Sequence, residues 1–529
     1  MQFIQGQQRN QTYFATLDDQ VSTDNPVRLM DAFIDKLDLH KLGFQRTVHK
    51  TEGRPPYEPG VLLKLYLYGY LNKLRSSRKL EKECCRNVEL QWLLQNRQPN
   101  YHTIADFRKL HAGPLQSMFR LYVQFLDDAG LLGKTTIAID GSKFKAVNSK
   151  KNNYSQKKID KHLQFIKDKT HKYLQELDEL DKEESKTGSE ELQVKKEKIA
   201  QGLAKLKERG IKYDALQKQL DSTADKQIST TDPDSRSILI TKSIVEVAYN
   251  TQNGVDSKHY LIVETGATNT NDGKALHKVA KQAKTNLQLK EADPLMVLAD
   301  KGYHTGAELQ QCQDDNMITH VAYKEQPAVK HIDREYLSES FLYNRASDSY
   351  TCPAGATLTS LGTWHNKKGE ANETSYRFKT YRTNACKGCP LKDKCTKLKK
   401  RIIHRSEYQD AVDINDNNIK TNPEYYKRRQ AIVEHPFGTI KRHWGYTHTL
   451  LKGLKKVNGE MNLIMFCYNF MRTNNILGFD KMLETIKNWK PNYTKVVCAL
   501  KNGFIKSISG QNKPLYFFHL HRFYFLQAV

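Results

Sequence analysis

Between residues 156 and 221 the chain is rich in Lys, Glu and Leu and carries two helical periodicities in succession. Ile159, Leu163, Ile166, Tyr173, Leu177 and Leu180 step by fours and threes, while Leu192, Ile199, Leu206, Tyr213 and Leu220 step by sevens. With "SKTGS" as the turn between them, this pattern predicts an antiparallel helical hairpin. The flanks have another period. Before it, "KTTIAIDGSKFKAV" has the β-branched run and Gly punctuation of a β-hairpin, with Asp140 ending the first strand. After it, strands resume in "RSILITKSIVEVAYN" and "HYLIVETGATNT". The helical hairpin is therefore an insertion into a sheet domain. It reads either as an arm for a partner protomer or DNA, or as a passive insert.

Beyond the insertion the order is helix ("DGKALHKVAKQAKTNL"), strand ("LMVLAD"), helix ("TGAELQQCQDD") and strand ("MITHVAYK"). An irregular polar stretch over 325–420 follows. Helices then return in "NPEYYKRRQAIVE", "FGTIKRHWG" and the apolar "GEMNLIMFCYNFMRTNNIL". Residues 1–130 read as short helices, opened by Pro, Ser or Thr signals. The expected class is α/β: an RNase H-like domain over 131–480 with a helical-hairpin insertion (about 151–228) and a Cys-containing β-rich insertion (325–420). An all-α domain over 1–130 precedes it, and a basic, aromatic tail over 481–529 follows.

Charge then narrows the partner. Lys and Arg number 84 against 59 Asp and Glu, a net +25 spread along the chain, which favours a polyanion, nucleic acid first. Arg75, Arg78, Lys79, Arg86 and Arg108 on the N-terminal helices suit a DNA-binding surface or the solvated side of a plain bundle. No signal peptide and no apolar run of about 18 residues is evident, so a cytoplasmic protein without membrane attachment is expected. Nine cysteines in such a chain argue against a disulfide framework. Cys352, Cys386, Cys389 and Cys395 form a candidate closed zinc site, the alternative being four free thiols. Cys84, Cys85, Cys312, Cys467 and Cys498 read as small apolar residues.

In an RNase H-like domain, carboxylates ending neighbouring central strands face one crevice, so Asp140 and Asp300 could meet. Each is followed closely by Gly, in "AIDGSKFKAV" and "LADKGYHTGAEL", which leaves room for close approach. Either Asp alone is an ordinary turn former or helix cap. Acids clustering in so basic a chain suit hard divalent cations: two Mg²⁺ roughly 4 Å apart can activate an attacking oxygen and stabilise a leaving one. Tyr303 and His304, beside Asp300, could touch substrate or serve packing.

Several stretches together resemble the transposases of bacterial insertion sequences, of the DDE group with an IS4-like catalytic domain. They are "GRPPYEPGVLLKLYLYGYLNKLRSSRKLEKECCRNVELQWL", "TIADFRK", "IAIDGSKFKAVNSK", "DPDSR", "LADKGYHTGAEL" and "RRQAIVEHPFGTIKRHWG…LLKGLKKVNGEMNLIMFCYNFMR", in order from about residue 10 to 478. The resemblance implies cleavage of DNA at the ends of a mobile element and strand transfer into target DNA. It implies a triad of Asp140, Asp300 and Glu434 holding two Mg²⁺ or Mn²⁺ ions. Its partners would be terminal inverted repeats and target DNA, bound by a homodimer, with Tyr426, Arg429, Lys441, Arg442, Arg75, Arg78 and Arg108 as DNA contacts. A silent DNA-binding derivative and an RNase H-like nuclease are the alternatives.

The family's last motif places Tyr, Arg, Glu and Lys at set spacing, which Tyr426, Arg429, Glu434 and Lys441 follow in order. Four residues here separate Arg429 from Glu434 where the usual number is three. On a continuous helix Lys441 would share a face with Glu434 and Arg429 would be turned away. Pro436 places Glu434 at a kink or beside a new helix start.

Overall fold

The run Thr136–Ile139 is buried on both faces and begins β1 (Thr136–Lys145), the middle strand of a six-stranded sheet. The computed structural model describes residues 10–494 except 13, 46–54, 188–189, 224–225, 241–242, 324–331 and 368–374. A two-stranded ribbon, β2 (Asn153–Ser155) and β3 (Gln227–Ser229), comes next. The sheet then continues with β4 (Arg236–Leu239), β5 (Val245–Asp256), β6 (Ile262–Thr268), β7 (Leu295–Ala299) and β8 (Met317–Val321).

β1 lies antiparallel to β5 and parallel to β7, and β8 is parallel to β7. β5 carries β4 and β6 in succession along its other edge. From β1 the chain first builds outward on the β5 side and later on the β7 side, so a crevice opens where β1 and β7 part. Asp140 was expected to end the first strand of a hairpin. Instead β1 runs on to Lys145, because the twelve-residue β5 keeps pairing with it through Lys143 and Phe144. The strand that stops at this level is β7.

Six N-terminal helices are α1 (Pro26–Asp35), α2 (Pro59–Leu71), α3 (Ser77–Arg86), α4 (Val88–Leu93), α5 (Tyr101–Leu110) and α6 (Ala112–Asp128). Asn25, Asn87 and Asn100 cap α1, α4 and α5 by accepting first-turn N–H groups. The insertion forms α7 (Gln156–Thr187) and α8 (Glu190–Asp221). Their base closes over Tyr154, Ile159, Ile166, Leu206, Tyr213, Leu216, Leu220 and Ile228. Then come α9 (Leu276–Asn286), α10 (Gly306–Asp314), α11 (Lys392–Cys395), α12 (Gln409–Thr421), α13 (Pro423–Phe437), α14 (Leu454–Leu477) and α15 (Phe479–Asn488).

The middle of helix α14, from Val457 to Phe470, is buried on nearly every side between the sheet and the N-terminal helices, its polar Glu460, Asn462 and Asn469 included. One continuous core therefore runs from Val21 to Trp489. A Cβ at Gly459 would fall 2.5 Å from Ala112 Cα, at the closest approach of α14 to α6. Gly459→Ala is expected to cost about 1–3 kcal/mol by overpacking, read from the urea midpoint of unfolding. "DPDSR" serves the same helix: Asp232 Oδ1 accepts from Gly453 N (3.0 Å) and Asp234 Oδ2 from Leu454 N (2.7 Å) at its start.

The second insertion is an antiparallel sheet of β9 (Leu342–Asn344), β10 (Ser349–Thr351), β11 (Thr357–Ser360), β12 (His365–Lys367), β13 (Tyr376–Arg382) and β14 (Ile402–Ser406). Its small core is Phe341, Tyr350, Leu358, Tyr381 and Ile403. Cys84, Cys312 and Cys467 are buried, whereas Cys85, expected to pack as an apolar residue, is exposed because α3 turns Cys84 inward. Cys498 and most of the 481–529 tail lie outside the described residues; α15 packs on the core through Met482 and Ile486. Among the described residues no helix is long and apolar enough to cross a membrane.

Candidate active site

Ile139 and Ala299 are register partners across β1 and β7, so the next residues, Asp140 and Asp300, come side by side where β7 ends. Asp300 Oδ1 accepts from Gly302 N (2.8 Å), starting a 3₁₀ turn over Lys301–Tyr303. Asp140 Oδ1 accepts from Gly141 N (2.9 Å). Burial pushes the Asp140 carboxyl up to about 6; Arg429 opposes this, and the negative charges of Asp300 and then Asp272 add to it. Carboxylates crowded in this way fit a hard cation, which would relieve the repulsion with oxygen ligands.

Helix α13 covers this corner. Asn422 caps it, and Tyr425 shares a hydrogen bond with Thr136 Oγ1 (2.6 Å) at the start of β1. One turn on, Arg429 is the cation that acts on Asp140. Glu434, five residues later, is rotated by about 140° from Arg429 on a regular helix, whereas a gap of four positions would give about 40°. The extra residue thus explains why Glu434 is exposed and accepts from Gln430 Nε2 (2.8 Å). Among the described residues no three His, Cys, Asp or Glu side chains are gathered closely enough to hold a metal ion.

Lys441 does not share the face of Glu434 either. After Pro436 the helix widens into a π-helical turn over Gly438–His443, which advances fewer degrees per residue than an α-helix. Lys441 Nζ accordingly reaches β1, donating to Lys143 O (2.6 Å) over the Phe144 ring. Burial, with help from Lys143, pulls its ammonium down to about 8, while Asp140 acts the other way.

The other expected DNA contacts divide by exposure. Arg78 and Arg442 are exposed and Tyr426 is half-buried. Arg75 and Arg108 are only 8% and 6% exposed, and packing claims both. Arg75 donates to His448 O (2.8 Å) over the Tyr446 ring, and Arg108 donates to Tyr70 OH (2.7 Å) and Arg75 O (3.2 Å). They join the N-terminal helices to the 446–448 segment and present no free guanidinium face. Tyr303 is buried with its hydroxyl on Gln252, and His304 meets Asp416 (3.2 Å), so both serve the scaffold here.

Two side chains at the site were not singled out from the sequence, Asp272 and Lys143, which form an ion pair at 3.3 Å. The available signal was "NDGK": Asp272 precedes Gly273 as Asp140 precedes Gly141.

In the second insertion, Cys352, Cys386, Cys389 and Cys395 line one cavity of about 370 Å³. Ala356 N donates to Cys352 Sγ (3.3 Å) within the "CPAG" turn. Burial raises the Cys395 thiol against the pull of Arg401, and Cys386, Cys352 and Cys389 each add to the rise. The four thiols are soft donors of the type zinc takes, but they line the cavity without being gathered closely enough to hold an ion as they stand.

Comparison with known proteins gives two family matches: residues 15–110 to "Transposase domain (DUF772)" and residues 351–473 to "Transposase DDE domain". No curated protein matches. Among solved structures, the chain aligns with a piggyBac transposase in a synaptic complex with hairpin DNA. The alignment covers 93% of this chain and 83% of that one, at 9% identity and a TM-score of 0.31.

Proposed function

We propose, for a chain that its two matched segments identify as a DDE-type transposase, that Asp140 and Asp300 hold the divalent ions of an RNase H-like active site and that Glu434 completes the set. The observation that carries this is the placement of Asp140 and Asp300 at the parting of parallel strands, with Arg429 opposite. The strand order around β1 supports the RNase H-like reading. Two Mg²⁺ or Mn²⁺ ions bound there would polarise the phosphodiester and neutralise charge on the attacking and leaving oxygens.

The chain's own groups do the rest. Asp140, ionised near neutral pH, and Asp300 would be the oxygen donors to such an ion. Arg429 and Lys441 bring positive charge to the backbone phosphate, while exposed Arg78 and Arg442 hold flanking DNA. Glu434 leaves Gln430 and turns toward the crevice, a movement the π-helical turn beside it permits. Water then displaces the 3′ oxygen of the strand at each element end, leaving a 3′ hydroxyl. That hydroxyl displaces a phosphodiester oxygen of the target. Two terminal inverted repeats cut in concert call for a homodimer.

The test is incubation of the full chain with DNA carrying the element's ends, target DNA and Mg²⁺. End cleavage with joined product is expected. Cleavage without joining would indicate a nuclease, and binding without cleavage a silent derivative.

The second insertion is proposed to hold a structural zinc ion through Cys352, Cys386, Cys389 and Cys395. Purified protein is expected to carry about one zinc per chain, and Cys386→Ser to lose it and lower the unfolding temperature. Metal-free protein with the stability of the variant would refute this.

A further inference from the structure

Asp272 stands in a 3₁₀ turn (Asp272–Lys274) just after β6, yet its carboxylate reaches back under the sheet. Oδ1 accepts from Asn250 Nδ2 and Gln252 Nε2, both at 2.7 Å, and Oδ2 meets Lys143 Nζ at 3.3 Å. Asn250 and Gln252 are the β5 partners of Lys143 and Gly141, so all four lie on one face of the sheet and Asp140 on the other.

The carboxylate fills the space a side chain at 141 would need. A Cβ on Gly141 would fall 2.5 Å from Asp272 Oδ1, 2.8 Å from Gln252 Nε2 and 2.9 Å from Asn250 Oδ1. That Asn250 oxygen is fully buried and has no hydrogen-bond partner among the described residues. A Cβ on Gly302 would lie 3.6 Å from Asp272 Oδ2 and 2.9 Å from Asp300 Oδ1. Gln252 also takes the Tyr303 hydroxyl, which ties the turn after Asp300 to the same group. Asp272 is thus wedged between the backbone following Asp140 and the backbone following Asp300. With three donors already on it, the carboxylate is committed to this network and unsuited to ligate an ion.

We propose that Asp272 is a positioning residue for the reaction: it fixes the separation of the Asp140 and Asp300 carboxylates. The inference rests on the assignment of Asp140 and Asp300 as the ion-holding pair. Gly141 follows from it, since a side chain there would strike the Asp272 carboxylate, whereas at Gly302 the tight contact is Asp300 Oδ1 itself and Asp272 stands at ordinary contact distance.

The experiment measures Mn²⁺ binding by the full chain without DNA, as the Mn²⁺-dependent rise in unfolding temperature, and end cleavage against Mn²⁺ concentration, for wild type, Asp272→Asn and Gly141→Ala, with Asp140→Asn alongside. Asp272→Asn keeps the shape of the wedge and alters only its charge and donor pattern. It is expected to raise the half-saturating Mn²⁺ concentration about 10–100-fold, as loss of a partner outside the ligand shell does, with the rate largely recovered at saturation. Gly141→Ala, which displaces the same carboxylate, should shift it in the same direction. An unchanged Mn²⁺ requirement in Asp272→Asn and Gly141→Ala, whatever their rates, would overturn the proposal. Cleavage by Asp140→Asn would instead remove the underlying assignment.

Discussion

Asp140→Asn and Asp300→Asn are each expected to reduce cleavage at the element's ends by on the order of 10²–10³-fold or more. The two carboxylates sit side by side because Ile139 and Ala299 are paired. An amide keeps their shape but neither carries the charge nor offers the second oxygen an ion needs. Binding to the same DNA should change little, because affinity for a duplex comes mainly from Lys and Arg on phosphates. Glu434→Gln should behave likewise, although Glu434 lies outside the pair and accepts from Gln430. Cleavage and mobility-shift assays at one salt concentration separate the two effects. Retained cleavage would remove the residue concerned from the triad.

The second expectation concerns stability, and its sign is opposite to that of most carboxylates. Burial raises the Asp140 carboxyl from 3.8 to about 6 in the folded chain. Between those values the folded state binds more protons than the unfolded state, so stability falls as pH rises through the window and the deficit is complete above it. Asp140→Asn removes the buried charge. Without divalent ions it should be more stable than wild type by on the order of 2–3 kcal/mol near neutral pH, and equally stable at about pH 4. Saturating Mn²⁺ should stabilise the wild type and close the gap. Unfolding midpoints at the two pH values decide this: equal stabilities at both would mean that Asp140 is not held under strain.

On the proposed assignment, the buried charge of Asp140 is what a bound cation would compensate. It also bears on what the amino-acid sequence made legible. β1 and β7 could be read because their apolar runs are short, continuous and followed closely by Asp and Gly, and the hairpin because sevens in Leu, Ile and Tyr have one meaning. The strand pairing that sets Asp140 beside Asp300 follows from that order of elements. Burial could not be read. Arg75 and Arg108 look like any helix-surface arginines, and only the packing of α2 and α5 against the 446–448 segment encloses them. The direction of Lys441 depends on a π-helical turn for which the sequence offers only Pro436 and Gly438. Asp272 escaped notice because its partners Asn250, Gln252 and Lys143 come from other strands, more than one turn of chain away.

The central claim, that Asp140 and Asp300 hold divalent ions, is tested most directly by replacing an oxygen donor with sulfur. Asp300→Cys and Asp140→Cys should bind the element's ends, fail to cleave in Mg²⁺, and regain cleavage when Mn²⁺ or Cd²⁺, which accept softer ligands, is supplied. Cleavage by these variants in Mg²⁺ at the wild-type rate, or silence with every ion from folded, DNA-bound protein, would contradict it.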